Sequence, residues 1–304
     1  MSARGSMAIT ENFGDLLDSR FRKIFSTQYE ENIKESMIPM LFGVESTSKN
    51  YEKLSGMGGL TDLQEFDGQV AYDTPSQLYD VTTYFPEYVL GMKVQRKLYD
   101  DDLTGIMDRR PWQMGISVAR TREKMGAGLL NDSFTTAGGD GVSLCNDSHP
   151  YSPDDATTQD NKGTSPLSAT AIEATRRIAH TSIFNDRGEV ASINYDTIFC
   201  TVAKEEVEWE IINSRGKVET ADNNRNFHYG RYNLAVWDRL TNSNYWWMMD
   251  SKLANMFFVW WDRVKPEFNY DRDFDTYVAK WSVYMRCNYD FYDWRPIYGH
   301  AATG

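Results

Sequence analysis

Between Leu54 and Val94 the chain alternates apolar and polar residues in two blocks. Phe66, Gly68, Val70 and Tyr72 fall on one side of an extended backbone, and Glu65, Asp67, Gln69 and Asp73 on the other. This is the period-two pattern of a half-buried strand. Pro75-Ser76 predicts a turn. The return arm, through Val81, Thr83, Phe85, Tyr88, Leu90, Met92 and Val94, is rich in β-branched and aromatic residues. One long hairpin is expected, with arms of about sixteen residues reaching on the order of 50 Å. A two-stranded hairpin is only marginally stable in water, so its apolar face is expected to rest on another copy of the chain.

Elsewhere the period changes to that of helices. Phe13, Leu17, Phe21 and Ile24 make one apolar side over residues 10–31, opposite Asp15, Asp18, Arg22 and Lys23. Pro39 is expected to end any helical continuation. The Asp100 to Asp102 run suits a helix start, and Pro111 a first turn, so a main helix is predicted from about Pro111 to Asn131 with Met114, Val118, Met125 and Leu129 as its stripe. Gly138 to Gly141 and the polar stretch 146–165 predict loops and a boundary near 160. Beyond it, Thr170 and Glu173 have capping-box spacing for a helix reaching about His180. Asn185 to Gly188 reads as a turn, 197–202 as a short buried strand, and 204–213 as a helix. The apolar run 255–264 and the alternation of Ala279, Trp281, Val283 and Met285 predict two further strands. The fold class is α+β.

Composition narrows the function. The chain has 304 residues, 41% of them hydrophobic, enough for one large core or two moderate ones. No apolar run approaches a bilayer-spanning length, and three widely spaced cysteines (Cys145, Cys200, Cys287) suit reduced thiols in cytoplasm. A net charge of -12 argues against tight binding of phosphate backbones, which rests on Lys and Arg. The aromatic share of 14%, with nine Trp, favours extensive contacts within or between chains.

Candidate chemistry is sparse. Cys145 and His149 supply two metal ligands where a tetrahedral site needs four. Gly138 to Gly141 lack the lysine and hydroxyl of a phosphate loop, so a tight turn is the expectation. Asp100 to Asp102 could bind a cation, although capping a helix is the simpler use. Asp271, Asp273 and Asp275 near Trp281 could build a sugar cleft, but that chemistry depends on a carboxylate separation. Four scattered histidines and no nucleophile motif leave no triad. No enzyme, cofactor or metal is expected.

Three local runs carry a resemblance. They are Leu129 to Phe134 followed by Gly139 to Cys145 and Ser148-His149-Pro150; Asp186-Arg187-Gly188 through Cys200 and Glu205 to Ser214; and Asp273 to Thr276 with Asp293 to Gly299. With the element order, these resemble the major capsid protein of tailed bacteriophages in the Hong Kong 97-type fold, particularly the Mu-like head subunit, over about residues 10–300. The resemblance implies an N-terminal arm (1–55), an extended loop (56–97), a peripheral domain with a spine helix (98–160), an axial domain (161–261) and C-terminal peripheral strands (262–304). It implies pentamers and hexamers of an icosahedral shell around double-stranded DNA, assembled in the host cytoplasm and residing in the virion. A separate scaffold, a portal and decoration proteins are the implied partners. A nanocompartment shell and a carbohydrate-binding protein or glycosidase are the alternatives.

Within that frame the loop residues Asp62, Glu65, Asp67, Asp73, Phe66, Val70, Tyr72 and Phe85 are expected to touch a neighbour. Arg109, Arg110, Arg120, Arg122 and Lys124 of the spine, with Arg20, Arg22 and Lys23 of the arm, are the candidate basic seat. Gly56, Gly58, Gly59 and Gly91 are candidate hinges. The stretch from Leu54 to Met92 holds no Lys, so the lysine-linked covalent shell of some relatives is not expected.

Overall fold

The computed structural model describes residues 11–63, 65, 66, 68, 70, 72–74, 76–95, 97, 101, 109–216, 224–273, 275, 276 and 278–303. The candidate contact Asp67, and Asp100 and Asp102 of the proposed cap, lie outside them, as do the side chains of Phe13 and Leu17. The chain divides into two compact units.

The first unit comprises 1–36, 85–123 and 262–287. Its helix α1 (Glu11–Ile33) buries Phe21 and Phe25, four apart on one side. The neighbouring Ile24 is half-buried. Phe21 packs on Trp281 (ring centroids 5.3 Å apart) and Phe25 on Phe268 (5.3 Å). Helix α3 (Arg109–Asn131) begins in this unit; Gly115 lets its backbone approach the Phe25 carbonyl, which a Cβ would meet at 3.0 Å. Strand β4 (Glu87–Gln95) pairs antiparallel with β12 (Val278–Phe291) over nine residues without a register shift. β12 alternates buried Trp281, Val283 and Met285 with half-buried Ser282, Tyr284 and Arg286, as expected.

The second unit comprises 37–84, 124–261 and 288–304. Its five-stranded sheet has the order β7 (Lys162–Gly163), β13 (Ile297–His300), β10 (Trp246–Met249), β8 (Thr197–Cys200), β9 (Asn233–Val236). β10 runs antiparallel to both neighbours and all its residues are buried. Helix α4 (Ala169–Thr181) starts at Ser168, whose hydroxyl accepts from the Ala171 amide; Thr170 lies inside the helix and is not its cap. Helix α5 (Glu205–Asn213) follows β8 through a 3-10 turn. A hairpin of β5 (His149–Ser152) and β6 (Asp155–Gln159) precedes β7.

Several expectations change. Pro39 does not stop a helix but sits in the first turn of the short α2 (Ile38–Leu41), where its missing N–H costs nothing. Residues 255–257 end helix α6 (Ser251–Phe257), and β11 runs Phe258–Asp273. The stretch near 160 lies within 124–261 of the second unit, where the short β7 joins the five-stranded sheet. β13 lies in that same sheet, apart from β11 and β12.

The long hairpin is redrawn. Its paired strands are β2 (Tyr51–Met57) and β3 (Gln77–Tyr84), with 58–76 as an excursion between them. β4 belongs to the β12 ladder; Pro75 of the expected turn lies outside the described residues, and the amide of Gly58 donates to the Ser76 carbonyl (2.8 Å). The alternating block at 65–73 forms no ladder among the described residues.

Candidate assembly surface

The neck of the 58–76 excursion is clamped by a turn far away in sequence. The Gly59 amide donates to Asp186 Oδ1 (3.0 Å), and the Ser76 hydroxyl to Asp186 Oδ2 (3.4 Å). Arg187 donates from Nε to the Gly59 carbonyl (3.2 Å) and from one terminal nitrogen to both Asp73 oxygens (3.2 and 3.0 Å). The Thr61 amide reaches the same carboxylate at 2.9 Å. These donors, the Thr61 amide first, hold the Asp73 carboxyl below its ordinary range. The Asn185 to Gly188 turn presents the pair because Gly188 accepts a φ of +78° at its close.

Above the neck the described apolar side chains are exposed. Leu63, Phe66 and Tyr72 are 102%, 72% and 92% exposed, and Leu60 and Val70 are exposed with them. Asp62 and Glu65 are exposed too. Below the neck, the rings of Tyr51 and Tyr84 meet at a tilt across β2 and β3, 5.9 Å apart, both exposed. Leu60, Leu63, Phe66, Val70 and Tyr72, all exposed within one short stretch of chain, make it the candidate interaction surface.

The other candidate residues sort clearly. Phe85 is buried in its own chain, and Arg286 donates to its carbonyl, so it is no loop contact. Asp73 is held by Arg187 of its own chain and is withdrawn from the expected seat on a neighbour. Arg122 is buried against Asp262, with one terminal nitrogen 3.0 Å from Oδ2, so it is not a surface cation. Arg109, Arg110, Arg120 and Lys124 are exposed on α3, as are Arg20, Arg22 and Lys23 on α1. Gly91 lies in β4 opposite Ser282 and is no hinge. Gly56 is buried in β2, where a Cβ would meet Leu78 at 2.8 Å. Gly58 and Gly59 do sit at the neck, chiefly as the close approach that admits Asp186.

Other candidate chemistry resolves into structure. His149 bonds Asp140 through Nδ1 (2.6 Å) and Asn161 Oδ1 through Nε2 (3.1 Å), and stacks on Trp294 at 4.2 Å. Burial raises the Cys145 thiol far above its ordinary pKa. Among the described residues no three His, Cys, Asp or Glu gather as a metal site. Asp273 accepts from the Asp275 and Thr276 amides and from Lys280, which makes it a turn cap, and Trp281 beside it is buried. A groove of about 950 Å³ between α4 and α5 holds Glu173, already paired with Arg176 and Arg177. No described helix is long and apolar enough to cross a membrane.

Sequence reasoning missed the Asp186-Arg187 clamp. Its only sequence signal is an acid and a base side by side in a turn, and nothing along the chain says what they face.

Comparison with solved structures places this arrangement. The procapsid of bacteriophage JBD30 has 16% identity and a TM-score of 0.56, with 96% of this chain and 75% of that chain covered. The mature capsid of bacteriophage PhiM1 (10% identity, TM-score 0.58) covers 88% and 87%. The capsid of cyanophage P-SCSP1u (9%, 0.60) covers 88% and 88%. No curated protein sequence matches. The fold is therefore the Hong Kong 97-like α+β fold of phage shells. A family model described as phage capsid protein matches residues 89–299, and the chain belongs to that family. It is a structural capsid protein of the virion, and the excursion 58–76 lies before the matched span.

Proposed function

We propose that the chain is the major head subunit of a tailed phage, in the Mu-like branch, assembling pentamers and hexamers around double-stranded DNA. The observation that supports this reading is the set of exposed apolar side chains between 58 and 76, above a clamped neck. Leu60, Leu63, Phe66, Val70 and Tyr72 leave apolar surface in water that a neighbouring copy would cover. At about 25 cal/mol per Å² this burial outweighs exposed ion pairs, each contributing about 0–1 kcal/mol. The carboxylates Asp62 and Glu65 then set register against exposed cations such as Arg109, Arg110, Arg120 and Lys124, or Arg20, Arg22 and Lys23. The net charge of -12 lets enclosed DNA slide without sticking. A separate scaffold and a portal complete the head, with decoration proteins on its outside, and the shell is held without covalent links.

The test is electron microscopy of the expressed full chain beside a variant in which a two-glycine link replaces 60–75. β2 and β3 stay intact in this variant, whereas a longer deletion to residue 90 would remove β3 and half of β4. The unaltered chain forms closed shells, and the variant stays folded without forming them. Shells from the variant at the unaltered yield would refute the loop's role, and purified shells filled with protein cargo in place of DNA would favour the nanocompartment.

A further inference from the structure

We infer that residues 65–72 of one copy add as an extra strand to the free edge of β4 in the next; this rests on the shell reading above and names where the excursion docks. The four-stranded sheet runs β1 (Gly43–Ser46), β11, β12, β4, so among the described residues β1 and β4 are its edges. β1 is four residues long, a short edge that invites little pairing. β4 is different. Its nine residues pair with β12 in unbroken register, carry no Pro and no bulge, and lie largely exposed, Val89 and Leu90 among them. Alternate residues of such a strand direct N–H and C=O groups away from the sheet, a template for another strand.

Both faces of that edge match the excursion in one parity. Tyr88, Leu90, Met92 and Val94 continue the face on which Met285, Val283 and Trp281 of β12 are buried. Leu90, opposite Val283, remains 44% exposed, so the apolar face ends unfinished. Phe66, Val70 and Tyr72, all of even number in a period-two segment, would extend it. On the opposite face Lys93 lies directly across from Lys280. Like charges in that position destabilise a ladder. Lys280 is answered by Asp273 (3.3 Å), while Lys93 meets no carboxylate among the described residues. Glu65 and Asp67 have the parity that supplies one. Gly68 bends the segment with a φ of +108° in the single chain, and as glycine it straightens without a Cβ penalty.

The experiment uses full-length chains. Leu90→Lys puts a charge on the docking face at an already exposed position, so the subunit keeps its circular dichroism spectrum and melting temperature but loses shell formation at least tenfold. Chains carrying Leu90→Cys are then mixed with chains carrying Phe66→Cys, Val70→Cys or Tyr72→Cys; the native cysteines Cys145, Cys200 and Cys287 are buried, so the background is low. At least one mixture gives a disulfide dimer in assembled shells on a non-reducing gel. Lys93→Glu lowers shell yield, and Glu65→Lys on the same chain restores it. Shells from Leu90→Lys at the unaltered yield, or shells in which none of the three mixtures cross-links, overturn the edge docking and leave the shell reading standing. Failure of the unaltered chain to form any shell overturns both.

Discussion

Arg122 sets its two terminal nitrogens on the two carboxylate oxygens of Asp262, with both side chains buried. Residue 122 lies on helix α3 and residue 262 within β11, so the pair ties helix to sheet inside the first unit. Removing one partner strands a buried charge. Arg122→Leu is expected to cost about 3–5 kcal/mol in urea unfolding, whereas Arg122→Met with Asp262→Leu recovers most of it. A double variant whose loss equals the sum of the two single losses would mean that the charges are not coupled.

His300 carries a pH dependence. Its Nε2 lies 2.8 Å from the Thr175 hydroxyl, which already donates to the Ala171 carbonyl (2.9 Å), so Nε2–H is the donor and Nδ1 has no partner among the described residues. The ring stacks on Trp246 at 4.0 Å, and burial lowers its pKa to about 4. A lowered folded value means that the stabilisation is complete above the unfolded value near 6.5 and is lost as pH falls toward 4. The loss is on the order of 3 kcal/mol. The melting temperature should drop across that window, and His300→Phe should flatten the drop.

Glu208 has the opposite slope. It is fully buried on α5, and burial, then Glu205, raises its pKa to about 8 against the opposing pull of the Cys200 thiol. Its stabilisation is complete below the unfolded value of about 4.5 and is lost as pH rises through 8. Glu208→Gln is expected to remove this loss, seen as a smaller fall in melting temperature between pH 5 and 9.

The Arg187 clamp predicts a local effect. With Asp73 held low, the clamp is closed above the usual carboxylate range and opens as pH falls through the lowered value. Arg187→Ala should speed chymotrypsin cleavage at Phe66 and Tyr72 at neutral pH, with little change in global melting, since local opening and global unfolding are separate equilibria. Unchanged cleavage would show that the neck is held by Asp186 alone.

Asn161 is the polar centre beneath the glycine loop. Its Nδ2 donates to the carbonyls of Leu144 (2.8 Å) and Ile297 (2.9 Å), and its Oδ1 accepts from the Asn146 amide (2.8 Å). Asn161→Leu should cost about 2–4 kcal/mol by leaving buried backbone groups unpaired. Added zinc should leave the melting temperature unchanged, which separates this network from a metal site at Cys145 and His149.

Local pattern alone determined the elements whose periodicity is their own. The helices at 11–33 and 109–131, the β12 alternation through Trp281, Val283 and Met285, and the α+β class are legible because burial of one face imposes period 3.6 or period 2 on the residues themselves. What each strand pairs with came only from tertiary structure. The block at 65–73 reads as a strand and finds no ladder among the described residues of its own chain; Val81 to Val94 reads as one return arm but is shared between β3, paired to β2, and β4, paired to β12. Arg122 and Arg187 look alike in sequence, yet Asp262 buries one and Asp73 holds the other at the loop neck. Alternation records that a face is covered, whereas a ladder or an ion pair depends on residues far along the chain or on another copy of it, and no local pattern encodes that partner.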